Sequence, residues 1–217
     1  MGRTIAIGDV HGCAREFEKL IKKIKPQAND HIVQLGDLIN KGPDSQAAIE
    51  IAKANNIDVV MGNHELRLLS AKENCDLNKL KTYDQETFDQ LKKKDWKYIK
   101  KFPKYIYKKP LNTIFVHGGF IPQKPWRNQS IEVLTKVQVI DNKGKPRKRS
   151  DAPKGTLWAK LWERKKFVVY GHMPRRKSYK SGNTICIDTG CVYGGHLTAY
   201  IVEEARTLRV AAKKAYC

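Results

Sequence analysis

An α/β fold, with a parallel sheet covered by helices, is what the first 71 residues predict, on two observations. Short apolar runs alternate with stretches of helical periodicity, in the order βαβαβα up to about Ala71. Each of the three runs ends on a glycine followed by Asp or Asn, which places polar side chains at strand tips. Strand tips are where open α/β sheets bind ligands.

The first run, Arg3 to Ile7, closes on Gly8-Asp9-Val10-His11-Gly12. Asp9 and His11 are two residues apart, so extended backbone points both the same way. A carboxylate and an imidazole converging on one point suit a divalent metal. Phe17, Leu20, Ile21 and Ile24 have the spacing of a helix just downstream, which makes Asp9 an alternative helix cap. Capping leaves His11 unexplained. The second strand, Ile32 to Leu35, ends in Gly36-Asp37, and Pro43-Asp44-Ser45 then starts a helix through roughly Ala54. Ala47, Ala48, Ile51 and Ala52 are its expected inward face. Ile57 to Met61 is the third strand, followed by Gly62-Asn63-His64-Glu65 and a helical pattern through Leu66 and Leu69.

From Lys72 to Lys109 the chain turns polar and lysine-dense, with Trp96, Tyr98, Phe102, Tyr105 and Tyr107 interleaved. Basic and aromatic residues together can bind a polyanion. The alternative is an amphipathic element with the rings buried and the lysines solvated. Asn112 to Val116 is a strand ending in His117-Gly118-Gly119. Pro122 to Pro153 reads as irregular at both ends, with an apolar stretch from Ile131 to Ile140. Lys143 to Arg149 reads as an exposed basic loop or hairpin tip. Trp158 and Trp162 share the face of a helix. Phe167 to Tyr170 is a strand ended by Gly171-His172, Thr184 to Ile187 one that leads into Asp188-Thr189-Gly190-Cys191, and Leu197 to Val202 a further strand.

The chain has 217 residues, enough for a substantial core and expected to form one domain, 1–217. Its 42 Lys and Arg against 22 Asp and Glu leave a formal charge of +20. Such a balance favours an anionic partner: nucleic acid, polyphosphate, nucleotides or an acidic membrane surface. A lysine-rich surface that serves solubility is the alternative. Five cysteines without CxxC or zinc-ribbon spacing point to free thiols in a reducing compartment. No run approaches the roughly 20 apolar residues of a membrane span. The chain enters a strand at once, without a signal peptide, so a soluble, cytoplasmic protein is expected.

Four of the six histidines, His11, His64, His117 and His172, follow the end of a β-rich run, as do Asp9, Asp37 and Asn63. The set is rich in O and N donors and lacks thiolate, which suits Mn²⁺, Fe or Zn²⁺ in a catalytic rather than a structural site. Gly8-Asp9-Val10-His11-Gly12, Gly36-Asp37, Gly62-Asn63-His64-Glu65, His117-Gly118-Gly119 and Gly171-His172 resemble the ordered motifs of the phosphoprotein-phosphatase branch of calcineurin-like metallophosphoesterases. Lys41-Gly42-Pro43-Asp44-Ser45 and Asp188 to Gly195 resemble the ApaH-like phosphatases in particular, relatives of the symmetrical dinucleoside tetraphosphatases.

The resemblance implies a sandwich of two β-sheets flanked by helices and a hydrolase using two divalent metal ions, Mn foremost, with Fe or Zn as alternatives. Asp9 and His11 would hold one ion; Asn63, His117 and His172 the other; Asp37 would bridge them. A metal-bound hydroxide would attack phosphorus in line with the leaving oxygen. His64 would protonate the leaving group, with an acidic partner setting its tautomer; Asn40 occupies the place where protein phosphatases carry Asp. Lys41 stands where they carry Arg and would bind substrate phosphate. Lys136 is the candidate for a second phosphate contact, with Arg164 or Arg175 as substitutes. The implied substrates are dinucleoside polyphosphates, polyphosphate or capped RNA ends. A Ser/Thr protein phosphatase is the alternative enzyme, and a nucleic-acid-binding module without turnover the alternative of another class.

Overall fold

The structure is a computed structural model that describes residues 2–76 and 80–217. The first 76 residues form β1 (Thr4–Ile7), α1 (Ala14–Ile24), β2 (His31–Gln34), α2 (Ser45–Ala54), β3 (Asp58–Val59) and α3 (Asn63–Glu73). Then come α4 (Thr82–Gln90), α5 (Lys93–Ile99), β4 (Ile106–Lys108), β5 (Thr113–Val116), α6 (Ile131–Lys136), β6 (Val139–Ile140), β7 (Pro146–Arg147) and β8 (Thr156–Leu157). The chain closes with β9 (Phe167–Tyr170), β10 (Tyr179–Ser181), β11 (Thr184–Cys186), β12 (His196–Ile201) and β13 (Arg206–Ala211).

Two five-stranded sheets dominate, in the orders β13-β12-β1-β2-β3 and β10-β11-β9-β5-β4; β7-β6-β8 make a small third. Strands buried on both faces explain the continuous apolar runs. In β1, Ile5 and Ile7 face α1 and α2, while Ala6 between them joins the layer shared with the other sheet. In β5 and β9, Phe115 and Val169 enter that same layer, and their neighbours Ile114, Val116, Val168 and Tyr170 pack outward against Trp126, Trp158 and Trp162. This alternation of period two makes the sandwich.

Phe17, Leu20, Ile21 and Ile24 of α1 are all buried, as their spacing requires. The helix stops at Lys25, which is left-handed with φ 51°. Asp44 caps α2 by accepting from the Ala47 N–H at 2.8 Å. The inward face of α2 is Ser45, Ala48, Ile49 and Ala52, so it is rotated from the expected one: Ala47 and Ile51 are half-buried and Ile49 takes the centre. The third strand is shorter than its apolar run, two residues rather than five: the Ile57 N–H bonds back to the Ala52 carbonyl of α2, and the Met61 N–H leaves β2 for the Pro103 carbonyl. In the lysine-dense stretch Trp96 and Phe102 are buried in the main core, so the packing reading holds for these rings. Trp158 and Trp162 are buried at the start and just past the end of a 3₁₀ turn, Trp158–Leu161, rather than on an α-helix. Lys143 to Arg149 comprises the tip of the β6–β7 hairpin, β7 itself and the two residues after it, tied by Asp141, which accepts from the Lys143 and Lys145 N–H groups and from Arg147 Nε. Among the described residues no helix is long and apolar enough to cross a membrane.

Candidate metal centre

Strands β1, β2 and β3 are mutually parallel, and so are β5, β9 and β11. Parallel strands end on one side, so the loops after all six open at the same rim. Backbone bonds lock them together there: the Asp37 carbonyl accepts from the N–H groups of Val10 and His11, and the His117 carbonyl from Gly171 N–H. His11, Asp37, Asn40, Lys41 and His172 all have left-handed backbone, with φ of 48°, 53°, 80°, 68° and 66°. Such conformations cost about 1–3 kcal/mol each and persist where a site over-determines them.

Asp37 lies at the centre. Its Oδ2 is 3.3 Å from His117 Nε2, 3.6 Å from His11 Nε2 and 4.0 Å from His64 Nε2. It belongs to two ligand-spaced triads, with His11 and His64 on one side and with His117 and His172 on the other. Asn63 Oδ1 is 2.9 Å from His117 Nε2. Asp9 does not cap α1, whose N-cap is Cys13; its carboxylate accepts from the His172 N–H at 3.1 Å. The structure thus brings Asp9, His11, Asp37, Asn63, His117 and His172 to one place. Backbone approaches both carboxylates so closely that a Cβ on Gly171 would lie 2.0 Å from Asp9 Oδ1, and one on Gly62 2.3 Å from Asp37 Oδ1.

The donor set fits divalent cations. His117 donates Nδ1–H to the Leu35 carbonyl at 2.8 Å and His11 Nδ1 faces the Ile39 carbonyl at 3.4 Å, so both present Nε2 inward. Orientation of the ligating nitrogen through the other ring nitrogen is the usual arrangement in metal sites. Burial holds His11 down at about 4 and, with the neighbouring charge of His117, His172 at about 3, so both rings are neutral as ligands must be. Burial lowers His117 too, but the Asp37 carboxylate outweighs it and raises that ring to about 10, so a cation would bind there by displacing its proton. Burial and the nearby Asp188 raise Asp9 well above the carboxylate range.

Several residues without an assigned role in the motifs support this centre. Buried Glu65 accepts from the N–H groups of Asp37 (2.9 Å), Ile39 (3.1 Å) and Gly62 (3.1 Å), which fastens the Asp37 loop to α3. Burial, reinforced by Asp37, raises it to about 7. The environment of His64 corrects one expectation: among the described residues the contacts given to its Nδ1 come from an amide and a guanidinium rather than a carboxylate. Asn40 Nδ2 lies 2.9 Å from that atom and Arg67 Nη2 3.2 Å. The acid stands one step behind. Asp84 of α4, fully buried, pairs with Arg67 and accepts from Asn40 Nδ2 at 2.6 Å. The amide orientation follows from its surroundings, because the Lys41 N–H donates to Asn40 Oδ1 at 2.8 Å. Two donors therefore face Nδ1, and the single proton of the neutral ring sits on Nε2, towards Asp37. Burial, and then His11, Lys41 and Arg67, hold His64 well below its ordinary value against the pull of Asp37. Asp84 lies outside the motifs; its one local signal is its place at the third position of α4, where Oδ2 accepts from the Lys81 N–H.

Lys41 Nζ is 3.4 Å from His11 Nε2 and donates to the Tyr193 hydroxyl at 2.7 Å, so it borders the centre. Tyr193 is 45% exposed. On the other side a cavity of about 530 Å³ is lined by Asn63, Arg67, Ser70, Lys136, Lys148 and His172, among others. Lys136 is at its wall, with Nζ paired to Glu132. Arg164 is turned away, with Nη2 donating to the carbonyls of Pro122 and Lys124. Arg175 lines a smaller cavity with Gln138 and Arg149.

The sequence profile of the calcineurin-like phosphoesterases matches residues 2–202. The chain belongs to this family. The phosphoesterase is 30% identical to the asymmetrical bis(5′-nucleosyl)-tetraphosphatase PrpE of Oceanobacillus iheyensis, over 97% of this chain and 92% of that protein. It is 26% identical to the symmetrical bis(5′-nucleosyl)-tetraphosphatase of Nitrosospira multiformis, over 94% of each. A crystal structure described as that of a diadenosine tetraphosphatase superposes with a TM-score of 0.87 at 29% identity, covering 97% of this chain and 94% of that one. The two-sheet sandwich is thus the metallophosphoesterase fold, and the phosphoesterase is a metal-dependent phosphatase of the ApaH-like kind.

Proposed function

We propose that the protein hydrolyses phosphoanhydrides of dinucleoside polyphosphates, and related polyanions such as polyphosphate or capped RNA ends, with two divalent metal ions. One observation carries this reading: Asp37 is shared by two sets of donors, each with its own histidines. Asp9 and His11 would hold one ion, Asn63, His117 and His172 the other, and Asp37 would be common to both; Mn²⁺ is the first choice, and Fe or Zn²⁺ would suit the same donors. Bound there, the ions supply a water that ionises near neutrality and charge for the phosphoryl oxygens. The remaining work falls to the chain. Lys41 adds a cation beside His11, Lys136 one at the cavity wall, and His64 offers its Nε2–H to the leaving oxygen. The activities for which the relatives are named favour a dinucleoside tetraphosphate over a phosphoprotein.

A substrate panel on chelator-stripped and Mn²⁺-restored protein tests the reading. Bis(5′-adenosyl) tetraphosphate is expected to have the highest kcat/KM, above a phosphoserine peptide and p-nitrophenyl phosphate, and chelation to abolish all three. A phosphopeptide in first place would make this a protein phosphatase. No turnover at full metal content would leave a binding module.

Lys41→Met is expected to keep both metals and to raise KM for every phosphate substrate, since it removes a point charge at the edge of the centre. Unchanged KM and kcat on all substrates would take Lys41 out of the site.

A further inference from the structure

Two basic segments of the sequence, Lys143 to Arg149 and Arg175 to Lys180, are not accounted for by the metal centre. They meet in space. Arg149, at the end of the β6–β7 hairpin, and Arg175, three residues after His172, line one cavity of about 180 Å³ with Gln138, Met173 and Pro174. No acidic side chain lines it, and Arg175 has no carboxylate partner among the described residues. The place of Arg175 is determined: its N–H donates to the Asp188 carbonyl at 3.2 Å, and its guanidinium stacks 4.2 Å from the Tyr179 ring centroid. Held in that stack, Nε and Nη2 are buried and have no acceptor. A buried charged donor left unpaired is costlier than a neutral one. Lys136 pairs with Glu132, and Arg164 places Nη2 on two backbone carbonyls, although its Nε too is buried without an acceptor.

We infer that Arg175 and Arg149 form an anion subsite for a phosphate of the substrate chain remote from the one attacked. This rests on the phosphoanhydride reading above. The cavity is one side chain from the centre, since Gln138 Nε2 lies 3.3 Å from His172 Nε2 and its Oε1 accepts from the Arg149 N–H at 2.9 Å. Nε and Nη2 are the buried atoms, so the remaining Nη1 end of the Arg175 guanidinium is what borders the cavity, offering charge and a hydrogen bond rather than a two-pronged contact. Arg149 is exposed and adds its charge from the opposite wall. A phosphate chain of three or more groups can occupy centre and subsite together; a monoester cannot.

The experiment compares KM for inorganic tripolyphosphate and for p-nitrophenyl phosphate at saturating Mn²⁺, in the wild type and in Arg175→Met and Arg149→Ala. The tripolyphosphate KM is expected to rise at least tenfold more than the p-nitrophenyl phosphate KM in Arg175→Met, and about threefold more in Arg149→Ala. Arg175→Lys should recover most of the loss, since it keeps the charge at the cavity wall. Arg149 is a surface side chain, so its variant stays informative if Arg175→Met misfolds. Equal rises for the two substrates, or no rise for either in a variant with full metal content, would overturn the subsite. Turnover of neither substrate by the wild type would instead be a failure of the phosphoanhydride reading.

Discussion

Asp37→Asn is expected to remove both metal occupancy and turnover. The carboxylate lies 3.3 and 3.6 Å from histidines of the two donor sets, so on the proposed assignment one side chain would serve both ions. Asn keeps the shape and loses the charge, and an amide cannot stand between two dications with oxygen towards each. Loss of an outer partner of a ligand typically lowers metal affinity by about 10–100-fold; loss of a shared ligand should exceed that on both ions. The fold should survive, because Glu65 continues to hold the loop through backbone N–H groups, including that of residue 37. Metal content by elemental analysis after desalting is the decisive measurement. Two ions per chain and a near-normal rate in the mutant would end the bridging assignment.

His64→Asn should leave the metals in place and lower kcat by roughly 10²–10⁴, the range for a group that hands a proton or hydrogen bond to the leaving atom. The geometry specifies how it acts. Asn40 and Arg67 face Nδ1 as donors, so Nε2–H is what the ring presents to substrate. The loss should therefore be smaller for p-nitrophenyl phosphate, whose leaving oxygen needs little help, than for an alkyl phosphate. Equal losses on nitrophenyl and alkyl esters at unchanged metal content would mean that His64 acts elsewhere, for example by shaping the Asp37 site, from which its Nε2 is 4.0 Å distant.

The sequence by itself marked the strands that lead into the site, β1, β2, β3, β5, β9 and β11, together with β12 and the glycine-bounded loops; the resemblance those loops carry supplied six proposed ligands, while β4, β6 to β8, β10 and β13 went unread. Each of those signals is local. An apolar run, a glycine and a polar residue lie within a few positions of each other, and the parallel order carries the loops to one rim. It also settled α1, because four apolar residues at helical spacing require one buried face. The inward face of α2 and the short β3 were less legible, since small residues such as Ala47 mark a face weakly and a run that leaves its neighbouring strand keeps its hydrophobicity.

What only the tertiary structure decided are the pairings between distant segments. Asp84 reaches Asn40 across 44 positions, from a polar helix whose own pattern announces nothing but a cap. The expectation that a carboxylate would touch His64 came from local motif order; the amide of Asn40 and the guanidinium of Arg67 stand there instead. Trp96 and Phe102 could have been a binding surface or a core until α5 and its continuation packed against the first sheet. Arg164 and Arg175 are both arginines near aromatic residues in sequence. One ends on backbone carbonyls and the other on a cavity, because β9 and β11 carry the Arg175 loop over Asp188 and the hairpin brings Arg149 opposite. Periodicity records which face of an element is buried; it does not record what that face or its loops will meet.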